Sequence, residues 1–353
     1  MPKRSLAAVL IAAFVLMLGV VAAGCGGDDS SSSSSGSGAA ATSTPEKKAI
    51  KVGLVTDIGG LNDRSFNQLA NQGLEKAKSE LGIDGRVLTS KSNADYVPNL
   101  SSLAQQGYDL VIGVGFLMAD AMDTVATKFP KTQFAIIDFP QAGLKHKPTN
   151  VRGLLFAEQQ PGYLAGYLAG LYVKAKGGDQ VISSVGGLKI PPVDHYIAGY
   201  QAGAKAANSG IKTLNAYSQD FVDQAKCKEI ALNQIAQGSQ VVFQVAGQCG
   251  LGALDAAKEK GVVGIGVDAD QGYLGDHIIT SALKKVDVAV FNTIKAVQDG
   301  SYKGGTDTIF DIKSGGVGLG KVSAAGQKYE EQVNKVMEQI KNGEITDIPS
   351  EVK

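Results

Sequence analysis

Histidine is scarce in this sequence. His146, His195 and His277 stand far apart, and none lies in an HExxH or CxxC-like arrangement, so no metal motif is visible and no metal or cofactor is expected. An excess of charge is also missing. With Lys3 and Arg4 set aside, 32 basic side chains face 34 acidic ones, a formal charge of −2, which leaves no basic field for nucleic acid. There is no P-loop, and Gly113-Val114-Gly115 lacks the third glycine and the distant acid of a dinucleotide-binding turn, so it reads as a tight strand-to-helix turn. A cysteine–histidine nucleophile pair would have to be assembled over long range with no local signature. Beyond the first 25 residues no segment is long and apolar enough to span a bilayer. Tryptophan is absent while glycine occurs 45 times among abundant Val, Ile, Leu and Ala, a composition that fits many strand-to-helix turns in an α/β protein.

What is present begins at the N-terminus. Lys3 and Arg4 precede an almost uninterrupted apolar run from Leu6 to Ala23, followed by Gly24-Cys25. This is the pattern of a bacterial lipoprotein signal, residues 1–25, with Cys25 as the lipidated residue, although Ala22 stands where leucine is usual. A retained membrane helix and an ordinary secretory signal are the alternatives. Residues 26–48, rich in Ser, Gly and Ala, read as a tether that cannot bury a core. A lipidated Cys25 would hang the folded part from the outer face of a membrane.

The remaining stretch, about 305 residues, exceeds what one hydrophobic core usually holds and suggests two lobes. Strand-like runs alternate with helical patterns: 52–56, 86–89, 110–114, 133–137, 151–156, 180–185, 212–216, 241–245 and 262–267. The repeated unit is βα, so mostly parallel sheets in two doubly wound lobes are expected. Crossovers are placed near 156–160, 281–284 and 312–316. Lobe 1 then takes 49–158 plus 284–313, and lobe 2 takes 159–283 plus 314–353. Gly162, Gly166 and Gly170 fall on one helix face and are expected to pack closely against the sheet, since a dozen apolar residues are too few for a membrane dimer motif.

The segment 52–74, VGLVTDIGGLNDRSFNQLANQGL, is the richest in chemistry. An apolar run ends at Thr56-Asp57, Gly59-Gly60 break it, Ser65-x-x-Gln68 has capping-box spacing, and Phe66, Ala70, Gly73, Ala77 and Leu81 form a helical stripe. Phe66 and Asn67 therefore sit in a first helical turn beyond a strand end, where open α/β sheets place ligands. An aromatic face and an amide suit a planar, hydrogen-bonding ligand; alternatively Phe66 is a staple and Asn67 a solvated polar residue. Asp57, Asp63, Asp138, Asp268 and Asp270 all fall at strand ends or turns, where carboxylates serve acid–base chemistry or accept from sugar hydroxyls equally well. Cys227 opens a helix after Asp223 and Cys249 follows the strand 241–245. A helix antiparallel to that strand would bring both to one edge, as a disulfide or as two buried thiols; a bridge would contribute about 3 kcal/mol in the chain-entropy model.

Several segments together resemble the basic membrane protein family of ABC-transporter substrate-binding lipoproteins, which includes purine nucleoside receptors. They are DIGGLNDRSFNQ at 57–68, VIGVGFLMADA at 111–121, FAIID at 134–138, NVRGLLFAEQQPGYLAGYLAG at 150–170, VGGLKIPPVDHYIAGYQAG at 185–203, VFQVAGQCGLGALDAAKEKG at 242–261, IGVDADQ at 265–271 and TSALKKVDVAV at 280–290. The resemblance implies a type I periplasmic-binding-protein fold, two Rossmann-like lobes joined by three crossovers and closing on a ligand. It implies a nucleoside ligand, an ABC permease as partner and no catalysis. It further implies that Phe66 and Phe221 sandwich the base, that Asn67 and Asp138 bond the base edge, and that Asp268 accepts from ribose hydroxyls. Gly247 would lend backbone, Lys284 a donor and Asp57 an extra contact. Arg64 and the VAGQCG turn depart from the family's usual small residue and VAGGTG. The competing functions are capture of another polar solute on the same scaffold, a hydrolase using Asp57 and Asp63, and a repressor, which would need a helix-turn-helix where the signal stands.

Overall fold

Strand after strand in this chain is buried along most or all of its length, which is the signature of a parallel sheet covered on both faces. The computed structural model describes residues 49–352; the signal, Cys25 and the tether lie outside them. Two six-stranded sheets carry the fold. The first uses β1 (Lys51–Val55), β2 (Asp84–Leu88), β3 (Leu110–Gly113), β4 (Gln133–Ile137), β5 (Val151–Phe156) and β11 (Thr306–Phe310), in the order β11-β5-β4-β3-β1-β2 and parallel throughout. The second uses β6 (Val181–Gly186), β7 (Lys212–Tyr217), β8 (Ser239–Val245), β9 (Val263–Asp268), β10 (Ile278–Lys284) and β12 (Val317–Leu319), in the order β12-β10-β9-β8-β6-β7. Only β12 runs antiparallel to its neighbour in that sheet. This is the type I periplasmic-binding-protein fold, two doubly wound lobes joined by three crossovers.

Alternation along the strands explains the layers. In the first lobe Val52, Leu54, Ile112, Ala135 and Ile137 face α1 (Phe66–Leu81) and α8 (Val286–Gln298), while Val55, Val111, Phe134 and Ile136 face α2 (Tyr96–Gln105) and α3 (Ala119–Lys128). In the second lobe Ile182, Val241 and Phe243 face α4 (Gln159–Lys176), α5 (Pro191–Ala207) and α9 (Glu330–Lys341), and Val185 and Val242 face α6 (Gln224–Ala236) and α7 (Gly247–Glu259). The chain passes between sheets at 157–158, at Lys285 and through 311–316.

Three strands leave no clear signal in the sequence. β10 (IITSALK) is fully buried yet carries Thr, Ser and Lys, β11 is a mostly exposed edge, and β12 spans three residues, so none shows a clean apolar run. The glycine stripe also needs correcting. It packs against a helix, not the sheet: a Cβ on Gly162, Gly166 or Gly170 would stand 2.3, 1.9 or 2.7 Å from the backbone oxygens of Tyr196, Tyr200 or Ala204 in α5. Gly199 and Gly203 reciprocate against Gln159 and Tyr163. Cys227 and Cys249 are bonded, with Cα atoms 5.5 Å apart, and the bridge ties α6 to the first turn of α7.

Candidate functional site

Both sheets end their strands at one cleft, where Asp57, Phe66, Asn67 and Asp138 of the first lobe line a cavity with Phe221, Gly247 and Asp268 of the second and with Lys284, the last residue of β10. All eight residues expected from the sequence to bind a ligand are therefore brought to one cavity, though several are already engaged.

The first corner is built by Asp63. Its Oδ1 accepts from the backbone N–H groups of Ser65 and Gln68 at 3.1 Å each, and its Oδ2 from the backbone N–H of Asn67 at 2.7 Å and from Asn67 Nδ2 at 3.0 Å. The expected Ser65–Gln68 capping box does not form. A carboxylate two residues before the N-cap outcompetes the serine hydroxyl for the free N–H groups of the first turn, because charge-assisted bonds are stronger. Asn67 Oδ1 in turn accepts from the backbone N–H of Asp57 at 2.8 Å. One N–H of Asn67 is left for a ligand. Asp57 accepts from the Tyr96 hydroxyl and from the backbone N–H of Ile58.

Asp138, directly after β4, and Asp268, the last residue of β9, hold φ at 68° and 60°. The left-handed region is unfavourable for a residue with a side chain, and such strain gathers at binding sites. Asp138 Oδ2 accepts from Lys284 Nζ at 2.6 Å, while its Oδ1 is buried without a partner. Lys284, 2 % exposed, also donates to Glu158 Oε1 at 2.9 Å, and Glu158 Oε2 lies 3.0 Å from His195 Nδ1. The ammonium sits 5.0 Å from the Phe66 ring centroid and 4.9 Å from that of Phe156. Lys284 is thus the hub of a buried charge cluster, with one N–H to spare. Phe221 is seated by Gly187, where a Cβ would come within 2.2 Å of its ring. Its carbonyl accepts from Cys249 N at 3.0 Å, which ties the loop to the bridged α7.

Burial raises the carboxyls of Asp57, Asp63 and Asp268. It pushes Asp138 up to about 7, against the pull of Lys284. Burial also acts on Glu158, but Lys284 and His195 outweigh it and hold that group below its ordinary value. For Lys284 the desolvation that would lower it is outweighed by Asp138, Glu158 and Asp268, so it stays charged. A carboxyl raised in the folded state binds its proton more tightly there than in the unfolded chain, so stability falls as pH rises from 3.8 toward 7. The Asp138→Asn variant should show a shallower decline than the parent over that window in urea titrations; identical slopes would remove Asp138 as a contributor.

No sequence pattern marks Glu158, Tyr96 or Tyr196, and the spacing at Ser65 points to a helix cap and not to Asp268. Glu158 sits in the first crossover and Tyr196 one helical turn inside α5, positions that no local pattern marks as facing a cleft. Among the described residues no cluster of three or more His, Cys, Asp or Glu side chains is arranged to hold a metal ion, and no helix is long and apolar enough to cross a membrane.

Residues 50–350 match the family described as Bmp, ABC transporter substrate-binding protein PnrA-like. An ABC transporter nucleoside-binding protein, BmpA, of Lactococcus lactis subsp. cremoris is 36% identical over 326 residues, covering 86% of this chain and 90% of that protein. An uncharacterized lipoprotein of Pyrococcus abyssi is 37% identical over 297 residues, covering 81% of this chain and 72% of that protein. Among solved structures, a solute-binding protein of an ABC transporter system from Aeropyrum pernix K1 superposes with a TM-score of 0.77 at 29% identity, covering 85% of this chain and 94% of that one.

Proposed function

Since this chain belongs to the Bmp family of ABC transporter substrate-binding proteins, we propose that it captures a nucleoside, purine by preference, and delivers it to an ABC permease. In this reading Cys25 carries the lipid that anchors the chain to the outer face of the cell membrane. The lobes comprise 49–158 plus 284–313 and 159–283 plus 314–353, and they close on the ligand about the three crossovers. Binding alone is asked of the site.

The observation that carries the proposal is the pairing of two phenylalanines, Phe66 and Phe221, with buried polar groups around one cavity. Flat rings gain roughly 0.5–1.5 kcal/mol per stack beyond buried area, which favours a heterocyclic base over a plain sugar. Asp138 Oδ1 and the spare Asn67 N–H supply an acceptor and a donor for a base edge, and Asp268 an acceptor for sugar hydroxyls. The charge of the cleft narrows the ligand further. Asp57, Asp63, Asp138 and Asp268 line the cavity, and Lys284, the one cation among the described residues that line it, is already paired with Asp138 and Glu158, so a phosphate dianion would meet carboxylates without a compensating charge.

A thermal-shift screen of residues 46–353 tests this. A ligand at a hundred times its dissociation constant adds about 2.7 kcal/mol to the folded state. Adenosine, guanosine or inosine should stabilise the protein, whereas ribose and the nucleoside monophosphates should not. Silence from every nucleoside, with a response to a sugar or amino acid, would overturn the ligand and leave the scaffold.

A further inference from the structure

Both oxygens of the Asp268 carboxylate have donors supplied by the protein itself. Tyr196, from the same lobe, donates to Oδ1 at 3.2 Å, and Ser65 donates to Oδ2 at 2.7 Å. Ser65 comes from the other lobe, is fully buried, and directly precedes Phe66 on the first turn of α1. Its hydroxyl has left the capping role to Asp63, which frees it to reach across the cleft.

A second bond follows the same route. Gln271 Nε2 donates to the backbone oxygen of Arg64 at 3.4 Å. Gln271 is itself fixed, its Oε1 accepting from Gln244 Nε2 at 2.8 Å and from Val267 N at 3.2 Å, and its N–H donating to Ser281 Oγ at 3.0 Å. Arg64 holds φ at 53°, an unfavourable backbone for a residue with a side chain. Consecutive residues of one loop thus bond to the end of β9 and the turn after it in the opposite lobe.

We propose that Ser65 is a positioning residue that couples ligand capture to lobe closure, its hydroxyl orienting the Asp268 carboxylate only while the lobes are together. The inference rests on the reading above that Asp268 receives ligand hydroxyls in the cleft. When the lobes part, Asp268 keeps its Tyr196 bond but loses its shorter, inter-lobe one, and its carboxylate is free to turn. When they close, the movement that brings Phe66 against the base also completes the Asp268 site. Ligand bonds to Asp268 are therefore at full strength in the closed form alone, and such differential affinity is what allows a ligand to drive closure.

The test compares Ser65→Ala, Ser65→Thr and Tyr196→Phe in the mature chain, with inosine as probe. Ser65→Ala should raise the inosine dissociation rate by about tenfold or more, as loss of a charge-assisted bond does, with association changed little. Small-angle X-ray scattering of the ligand-free protein should show a larger radius of gyration for Ser65→Ala. Tyr196→Phe, which removes a bond within one lobe, should weaken binding without that expansion. Ser65→Thr, which keeps the hydroxyl, should restore slow dissociation. An unchanged dissociation rate in Ser65→Ala, or equal expansion in Ser65→Ala and Tyr196→Phe, would overturn the proposal. If the parent protein binds no inosine, the nucleoside reading fails and the scattering comparison alone decides the role of Ser65.

Discussion

Lys284→Met should lower the free energy of unfolding by about 3–5 kcal/mol and abolish ligand capture. The side chain is buried between Asp138 at 2.6 Å and Glu158 at 2.9 Å, and among the described residues no other lysine or arginine pairs with these two carboxylates. Removing one partner from such a cluster leaves buried carboxylates without their compensating charge, which costs far more than the pair's net contribution. The loss should shrink as pH falls, because Asp138 and Glu158 then take up protons and need no partner. The double variant Lys284→Met with Asp138→Asn should regain part of the stability in urea unfolding at pH 7. A single variant as stable as the parent at neutral pH would show that Lys284 does not hold the crossover together.

Gly166→Ala should be destabilising by about 2 kcal/mol or more, against a helix-propensity gain of about 1 kcal/mol, because its Cβ would sit 1.9 Å from the Tyr200 backbone oxygen. A backbone atom cannot rotate away, so α4 and α5 would have to separate along the whole interface. Gly203→Ala, facing Tyr163 at the same 1.9 Å, should behave alike, and the two changes together should cost less than their sum, since either one forces the helices apart. Gly318→Ala is the control, with nothing within 4 Å of its Cβ position. Calorimetry that ranked Gly166→Ala with Gly318→Ala would refute the close-packing account. Because α5 also carries Tyr196 into the cleft and His195 to Glu158, binding should weaken in the glycine variants even below their melting temperature.

Much of this fold is legible in the sequence. Nine of the strands announced themselves as apolar runs, and parallel pairing followed from the helical patterns between them. The missing three were illegible for separate reasons: polar residues inside β10 are satisfied by neighbours distant in sequence, such as Thr280 Oγ1 bonding the Gly320 backbone oxygen. β11 is too exposed and β12 too short to leave a periodic trace. The capping assignment failed because Ser65 and Asp63 both had the chemistry for it, and the winner depended on what else Ser65 could reach. That partner, Asp268, lies 203 positions away.

The sequence by itself determined the α/β class and the two-lobed organisation, because hydrophobic period and glycine turns are local properties, and its resemblance to one family marked the candidate binding residues. Tertiary structure alone decided how those residues are used. It made Lys284 a buried hub, occupied most of the Asn67 amide, turned the glycine stripe toward α5 and drew Ser65 across the cleft. Each of these depends on distances between segments far apart in the chain, and on a buried polar group's need for a partner, which no spacing along a sequence records.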